Sequence, residues 1–194
     1  MTPTLSDREL ARLCIRAYTE QTWRAAGDVE VLLDTVAQAH CLAFRGTEFD
    51  GFSPIDLIRD LRFLPWYDGR VGWCHAGFLK GAQAIWPLVE PVAMKPGYPV
   101  ALTGHSLGGA LACIVAGFMC AGGKPPARLV TFGCPKPAYS GLRMLLFRHL
   151  NGNQKHYVND EDPIPRVPPF GDAPMPQFLA GGEGHKMSDY AAAL

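Results

Sequence analysis

The 194-residue chain lacks a surplus of either charge: 18 Lys and Arg balance 18 Asp and Glu, for a formal net charge of zero. With no basic excess to release counterions from a phosphate backbone, a general nucleic-acid partner is excluded. Charged residues are also few, 19% against 48% hydrophobic, which rules out intrinsic disorder and suits one domain with a substantial core. Cysteine occurs without any CxxC pair: Cys14, Cys41, Cys74, Cys113, Cys120 and Cys134 are scattered, so neither a zinc site nor a thioredoxin motif is expected, nor any metal or other cofactor. They read as reduced, mostly buried thiols. The opening residues MTPTLSDRELARL have no basic region followed by an apolar run, which predicts a cytoplasmic location and leaves signal-independent export open. Lys, Arg, Asp and Glu are all missing between Pro96 and Gly123, a span that a hydropathy window flags as membrane-spanning. Its glycines and prolines, with Thr103, His105 and Ser106 inside it, read instead as buried strand, turn and helix, so no transmembrane segment is expected.

The apolar pattern that remains is an alternation of helices and short strands. Ser6 and Glu9 have capping-box spacing, and Leu10, Leu13, Cys14, Ala17 and Tyr18 share one face, which predicts a helix to about Trp23. VEVLLDTV (29–36) and HCLAFR (40–45) read as two strands joined tightly, the second delivering Gly46-Thr47 at its end. From Thr47 to Gly77 aromatics, prolines and an amphipathic piece, Asp56 to Phe63, read as a surface excursion. A helix is predicted from His75 to Met94, then a strand at Val100 to Thr103, a helix to about Cys120, a strand at Arg128 to Gly133, a helix over 139–149 and a strand over 155–159. The stretch to Gly184 is rich in Pro and Gly, and a last short helix follows His185. This order predicts an α/β fold, a mainly parallel central sheet flanked by helices, in one domain over residues 1–194.

Gly104-His105-Ser106-Leu107-Gly108 is G-x-S-x-G, preceded by VALT and followed by the uncharged LGGALACIVAGFMC. Strand, sharp turn and helix are the setting a nucleophile elbow requires: strained angles hold the serine hydroxyl clear of the sheet, and flanking glycines let the chain fold back. The Leu107 amide then sits in the first turn of the helix, where an unpaired N–H and the dipole favour negative charge, one half of an oxyanion hole. The competing reading is a packed turn with Ser106 as a helix N-cap.

A serine nucleophile needs a base, and the base an oriented acid. In the chain order Ser, acid, His, both His149 and His156 fail because no acid separates them from Ser106, which leaves His185. Candidate acids are Asp160, Glu161, Asp162, Asp172 and Glu183. Asp162 precedes Pro163 in a stiff loop, yet position alone does not rank it above Asp160.

Taken together, LAFRGT (42–47), DLIRDL (56–61), CHAGF (74–78), LTGHSLGGALA (102–112), VTFGCPKPA (130–138), VNDEDPIPRVPP (158–169) and the late His185 resemble the class 3 lipases, a fungal-lipase-like branch of the α/β-hydrolases. The resemblance implies Asp162 as the acid, with Ile164 in the usual Val place, and Thr47 as the second oxyanion donor beside Leu107. It implies a short lid over Glu48 to Ile55, with Phe49, Phe52 and Ile55 as substrate contacts, in a minimal version of the fold. The implied activity is lipid-ester hydrolysis through an acyl-enzyme, lipase or esterase first and phospholipase second; a non-catalytic binding protein on the same fold is the rival. The implied partners are a lipid or small ester and a transient lipid interface. Trp66, Tyr67 and Trp73 read as acyl-groove lining or, better, as packing residues, and Cys74-His75 as packing at a helix start.

Overall fold

The computed structural model describes residues 5–36, 38–46, 64–150, 152–172, 174–179 and 184–194. In chain order these form α1 (Asp7–Thr19), β1 (Arg24–Ala26), β2 (Val29–Val36), β3 (Ala39–Phe44), β4 (Pro65–Asp68), β5 (Gly72–His75), α2 (Ala76–Ala93), β6 (Val100–His105) and α3 (Leu107–Ala121). There follow β7 (Arg128–Phe132), β8 (Ala138–Gly141), α4 (Leu142–Leu150), β9 (Gln154–Asn159), a single 3-10 turn (Ile164–Arg166), β10 (Pro176–Leu179) and α5 (Met187–Ala193). The main sheet runs β1-β2-β3-β6-β7-β9-β10, antiparallel over β1 to β3 and parallel from β3 to β10.

Central strands of such a sheet are covered on both faces, and their side chains alternate between two cores. Leu42, Phe44, Val100, Leu102 and Leu129 join one cluster with residues of α2, α3 and α4. Their neighbours Cys41, Ala43, Ala101, Val130 and Phe132 join the other, with α1 and α5. The uncharged helix α3 is buried from Gly108 to Cys120, which explains an apolar run without a polar face. No helix among the described residues is long and apolar enough to cross a membrane. Five cysteines are buried, Cys134 is half-buried, and all six are free thiols.

Four element predictions change. Helix α1 stops at Thr19 rather than near Trp23, because Glu20 turns extended and the Trp23 amide donates to the Val31 carbonyl, recruiting that segment to the sheet edge. Within the predicted excursion, β4 and β5 form a hairpin, and β8 pairs with it to make a second, three-stranded antiparallel sheet. That pairing takes residues 138–141 out of the predicted 139–149 helix, which starts only at Leu142. The Pro-rich stretch contributes β10, parallel to β9. Trp66, Tyr67 and Trp73 are each about half exposed on the small sheet, with Tyr67 against Trp73 and the Lys80 ammonium over Trp66.

Helix α1 is pinned to the sheet by charge. Its Asp7 carboxylate accepts from Lys155 Nζ at 2.7 Å, from the Tyr157 hydroxyl at 2.6 Å and from the Arg128 guanidinium. Burial works against the ionised form, but these three donors outweigh it and hold the Asp7 pKa below its ordinary value. A carboxyl lowered on folding stabilises the protein above its unfolded pKa, and that contribution is lost as pH falls through the folded value. Asp7→Asn is therefore expected to cost about 2 kcal/mol at pH 7, with the gap to wild type closing below about pH 4. Urea denaturation of both proteins across that range measures it.

Candidate active site

Strand β6 runs straight into α3 through Ser106, whose φ of 54° and ψ of −127° are strained for a residue with a side chain. The turn is held by the Ser106 amide, which donates to the Phe132 carbonyl at 3.0 Å, and by the Gly109 amide, which donates to the Ser106 carbonyl at 2.9 Å. Two glycines allow it. A Cβ on Gly104 would lie 2.2 Å from the Gly108 carbonyl oxygen, and one on Gly108 would lie 2.1 Å from that of Phe44. Ser106 occupies the N-cap position of α3 but makes no side-chain capping bond, so the N-cap reading fails. Its hydroxyl turns instead to His185.

His185 Nε2 is 2.8 Å from Ser106 Oγ, and His185 Nδ1 is 2.6 Å from Asp162 Oδ2. With the ring neutral, Nδ1–H donates to the carboxylate and the serine hydroxyl donates to Nε2. Asp162 is fully buried, and beyond His185 it accepts from the Tyr190 hydroxyl at 2.6 Å on Oδ2 and from the Ile164 amide at 2.9 Å on Oδ1. Asp160 and Glu161 point into solvent from the same loop. This separation, which position in the chain left open, comes from the Asp162 amide donating to the Asn159 carbonyl at 3.1 Å and turning the side chain inward. His149 is exposed, and His156 is buried between Thr131 Oγ1 at 2.8 Å and Gln154 Oε1 at 3.2 Å, far from Ser106 in its contacts.

Leu107 is the first residue of α3, so its amide belongs to the helix end that intrahelical bonds leave unfilled. Thr47 and the lid residues Phe49, Phe52 and Ile55 lie outside the described residues. Two clefts, of about 310 Å³ and 590 Å³, flank β9, and neither is lined by Ser106, Asp162 or His185. The expectation that His75 packs at a helix start holds: it is the buried N-cap of α2, and its ring lies tilted against Phe78.

Sequence reasoning missed the groups around the three residues. Tyr190 carries no motif; it is merely the one aromatic of the last helix. Burial first, and the Asp162 charge second, raise its pKa, so it stays a phenol that can donate. Asn159 holds the chain beside His185, its Nδ2 donating to the Gly184 carbonyl at 3.1 Å and its amide to Tyr190 Oη at 3.1 Å. Gly133 was legible only as part of VTFG: its φ is 56°, and a Cβ there would meet Asp162 Oδ2 at 2.8 Å and the His185 ring at 3.0 Å.

The family description "Lipase (class 3)" matches residues 41–171, and the chain belongs to that family. It is 29% identical over 147 residues to the secreted mono- and diacylglycerol lipase A of Penicillium cyclopium, covering 71% of this chain. The match spans 46% of that relative, so the chain accounts for about half of its length. Its fold is similar to a crystal structure of a mutant MDLA from the same fungus, with a TM-score of 0.70 and 20% identity over 94% of this chain and 80% of that one. It is also similar to the structure of a triacylglycerol lipase described as having a serine protease triad for its catalytic centre, with a TM-score of 0.69 and 22% identity over 92% of this chain and 83% of that one. Both are likenesses of fold, and they bear out the α/β-hydrolase architecture that the family resemblance implies. The expected cytoplasmic location is overturned: four fungal relatives are named secreted lipases. An opening segment without a leader pattern was too weak a ground for it.

The elbow geometry makes a prediction independent of turnover. Gly108→Ala, with its Cβ driven into the Phe44 carbonyl, is expected to cost at least about 3 kcal/mol, because backbone rather than a movable side chain must give way. Thermal unfolding followed by circular dichroism measures the loss.

Proposed function

We propose that this protein is a serine hydrolase of lipid carboxylic esters, of the mono- and diacylglycerol type, acting outside the cell as one domain over residues 1–194. The observation that carries the reading is the continuous chain of short hydrogen bonds from Ser106 Oγ through His185 to a buried Asp162. Membership of the class 3 lipase family and the named activities of the relatives support it. Ser106 Oγ attacks the ester carbonyl carbon as its proton passes to His185 Nε2. The tetrahedral intermediate collapses, His185 returns the proton to the departing alkoxide, and an acyl-serine is left. Water then enters, gives a proton to His185 and attacks the acyl carbon; the second tetrahedral intermediate collapses, His185 returns that proton to Ser106 Oγ, and the fatty acid is released. Asp162 keeps the Nδ1–H tautomer in place and balances the imidazolium charge. Leu107 N–H, with Thr47, supplies the oxyanion donors, and Phe49, Phe52 and Ile55 close over the acyl chain at a lipid surface. The neutral overall charge fits uncharged glycerides better than anionic lipid.

Purified protein assayed on p-nitrophenyl esters of short and long acyl chains and on emulsified mono- and diacylglycerol is expected to turn over. Ser106→Ala and Asp162→Asn should each lower kcat by about 10⁴-fold or more while the fold survives. Equal inertness of wild type and Ser106→Ala on all of these would refute the reading, and turnover of phospholipid alone would redirect it to a phospholipase.

A further inference from the structure

His105, next to the serine, is used by none of the steps above, yet it is buried and touches the base. Its Nε2 lies 2.6 Å from the main-chain carbonyl oxygen of His185, and its Nδ1 lies 2.8 Å from the hydroxyl of Tyr18 in α1. We propose that Tyr18 and His105 form a positioning relay that fixes the main chain at His185, and through it the imidazole that bridges Ser106 and Asp162. The inference rests on the ester-hydrolase reading.

The relay has one allowed proton arrangement. A carbonyl oxygen can only accept, so His105 must carry its proton on Nε2; its Nδ1 then offers a lone pair, and Tyr18 must donate. Burial, with the nearby His185 as a further cause, pushes the His105 pKa down to about 3, so the ring keeps this single proton at neutral pH. The His105 and His185 ring centroids are 4.7 Å apart, close enough for a second positive charge to oppose the imidazolium that catalysis forms. The Tyr18 hydroxyl is wedged at a second functional point. A Cβ on Gly46, the residue before Thr47, would lie 2.3 Å from Tyr18 Oη, 2.7 Å from the His105 carbonyl oxygen and 3.4 Å from Ser106 Cβ. One phenol thus touches Gly46, just past the end of β3, and His105, and through His105 it reaches the base.

The test uses the full chain with a soluble short-chain ester. Tyr18→Phe, which leaves the ring and removes only the donor, is expected to lower kcat about 10-fold with KM changed less than about twofold. His105→Leu should lower kcat about 100-fold, since small displacements of a reacting group are that costly. A Gln side chain places an amide donor near the Nε2 position and an Asn near the Nδ1 position, so His105→Gln should recover about 10-fold over His105→Leu and His105→Asn should not. By ¹⁵N NMR the His105 ring should be the Nε2–H tautomer, and Tyr18→Phe should move its Nδ1 resonance. Unchanged kcat in folded Tyr18→Phe, equal rescue by Asn and Gln, or an Nδ1–H tautomer would each overturn the relay. Wild type as inert as Ser106→Ala would instead sink the ester-hydrolase reading, while the tautomer still decides whether the relay exists. If the His105 variants do not fold, Tyr18→Phe and the ring spectrum decide it.

Discussion

The close approach of three backbones at Ser106 constrains everything else in the molecule. Strand β6 must reverse into α3 within one residue, and a side-chain-bearing residue at φ 54° costs on the order of 1–3 kcal/mol. The strain is sustained because the surroundings over-determine it. The Ser106 amide is tied to β7, and α3 is buried along nearly its whole length. Gly108 sits against the Phe44 carbonyl, so the elbow and the end of β3 share one packing problem. The parallel pairing of β3 with β6, which places Phe44 opposite Gly104, is therefore part of the site and not only of the scaffold.

The remaining partners come from the two ends of the described chain, on the same face of the sheet. Helices α1 and α5 lie together there, and the Arg8 guanidinium donates twice to the Leu194 carbonyl, at 2.8 Å and 3.1 Å. Each helix sends one tyrosine inward, Tyr18 toward His105 and Tyr190 onto Asp162. A histidine nine residues from Leu194 is thereby braced through its ring and its main chain at once. Phenols suit such bracing because their rings fill the apolar face of the sheet while their hydroxyls satisfy buried acceptors that water cannot reach.

What was legible in the sequence was what local pattern encodes. The Ser6 and Glu9 capping box, the uncharged VALT and LGGALACIVAGFMC runs and the chain order of serine, acid and histidine each depend on near neighbours or simple periodicity, and the architecture follows from them. Asp162 could be chosen over Asp160 only by family resemblance, because the difference is a single inward turn at Asn159. Residues 138–141 read as helix because partnership with β5, distant in the chain, decides their conformation. Tyr18 was visible as one more apolar position on a helical face. That its hydroxyl reaches a histidine 87 residues away is a tertiary fact with no local signature.

The electrostatic character of the site follows from how few charges surround it. No Lys, Arg, Asp or Glu lies between Pro96 and Gly123, so strand β6, the elbow and α3 contribute dipoles but no formal charge. His105, buried and lowered to about 3, contributes none either. The carboxylate of Asp162, saturated by three donors, is then the natural countercharge for an imidazolium at His185. In a poorly screened interior a second cation near that ring would stabilise the ground-state carboxylate and oppose the charged base at the same time. Keeping His105 neutral while using both of its nitrogens gives the base a rigid support without that electrostatic penalty, which a lysine or arginine in the same place could not do.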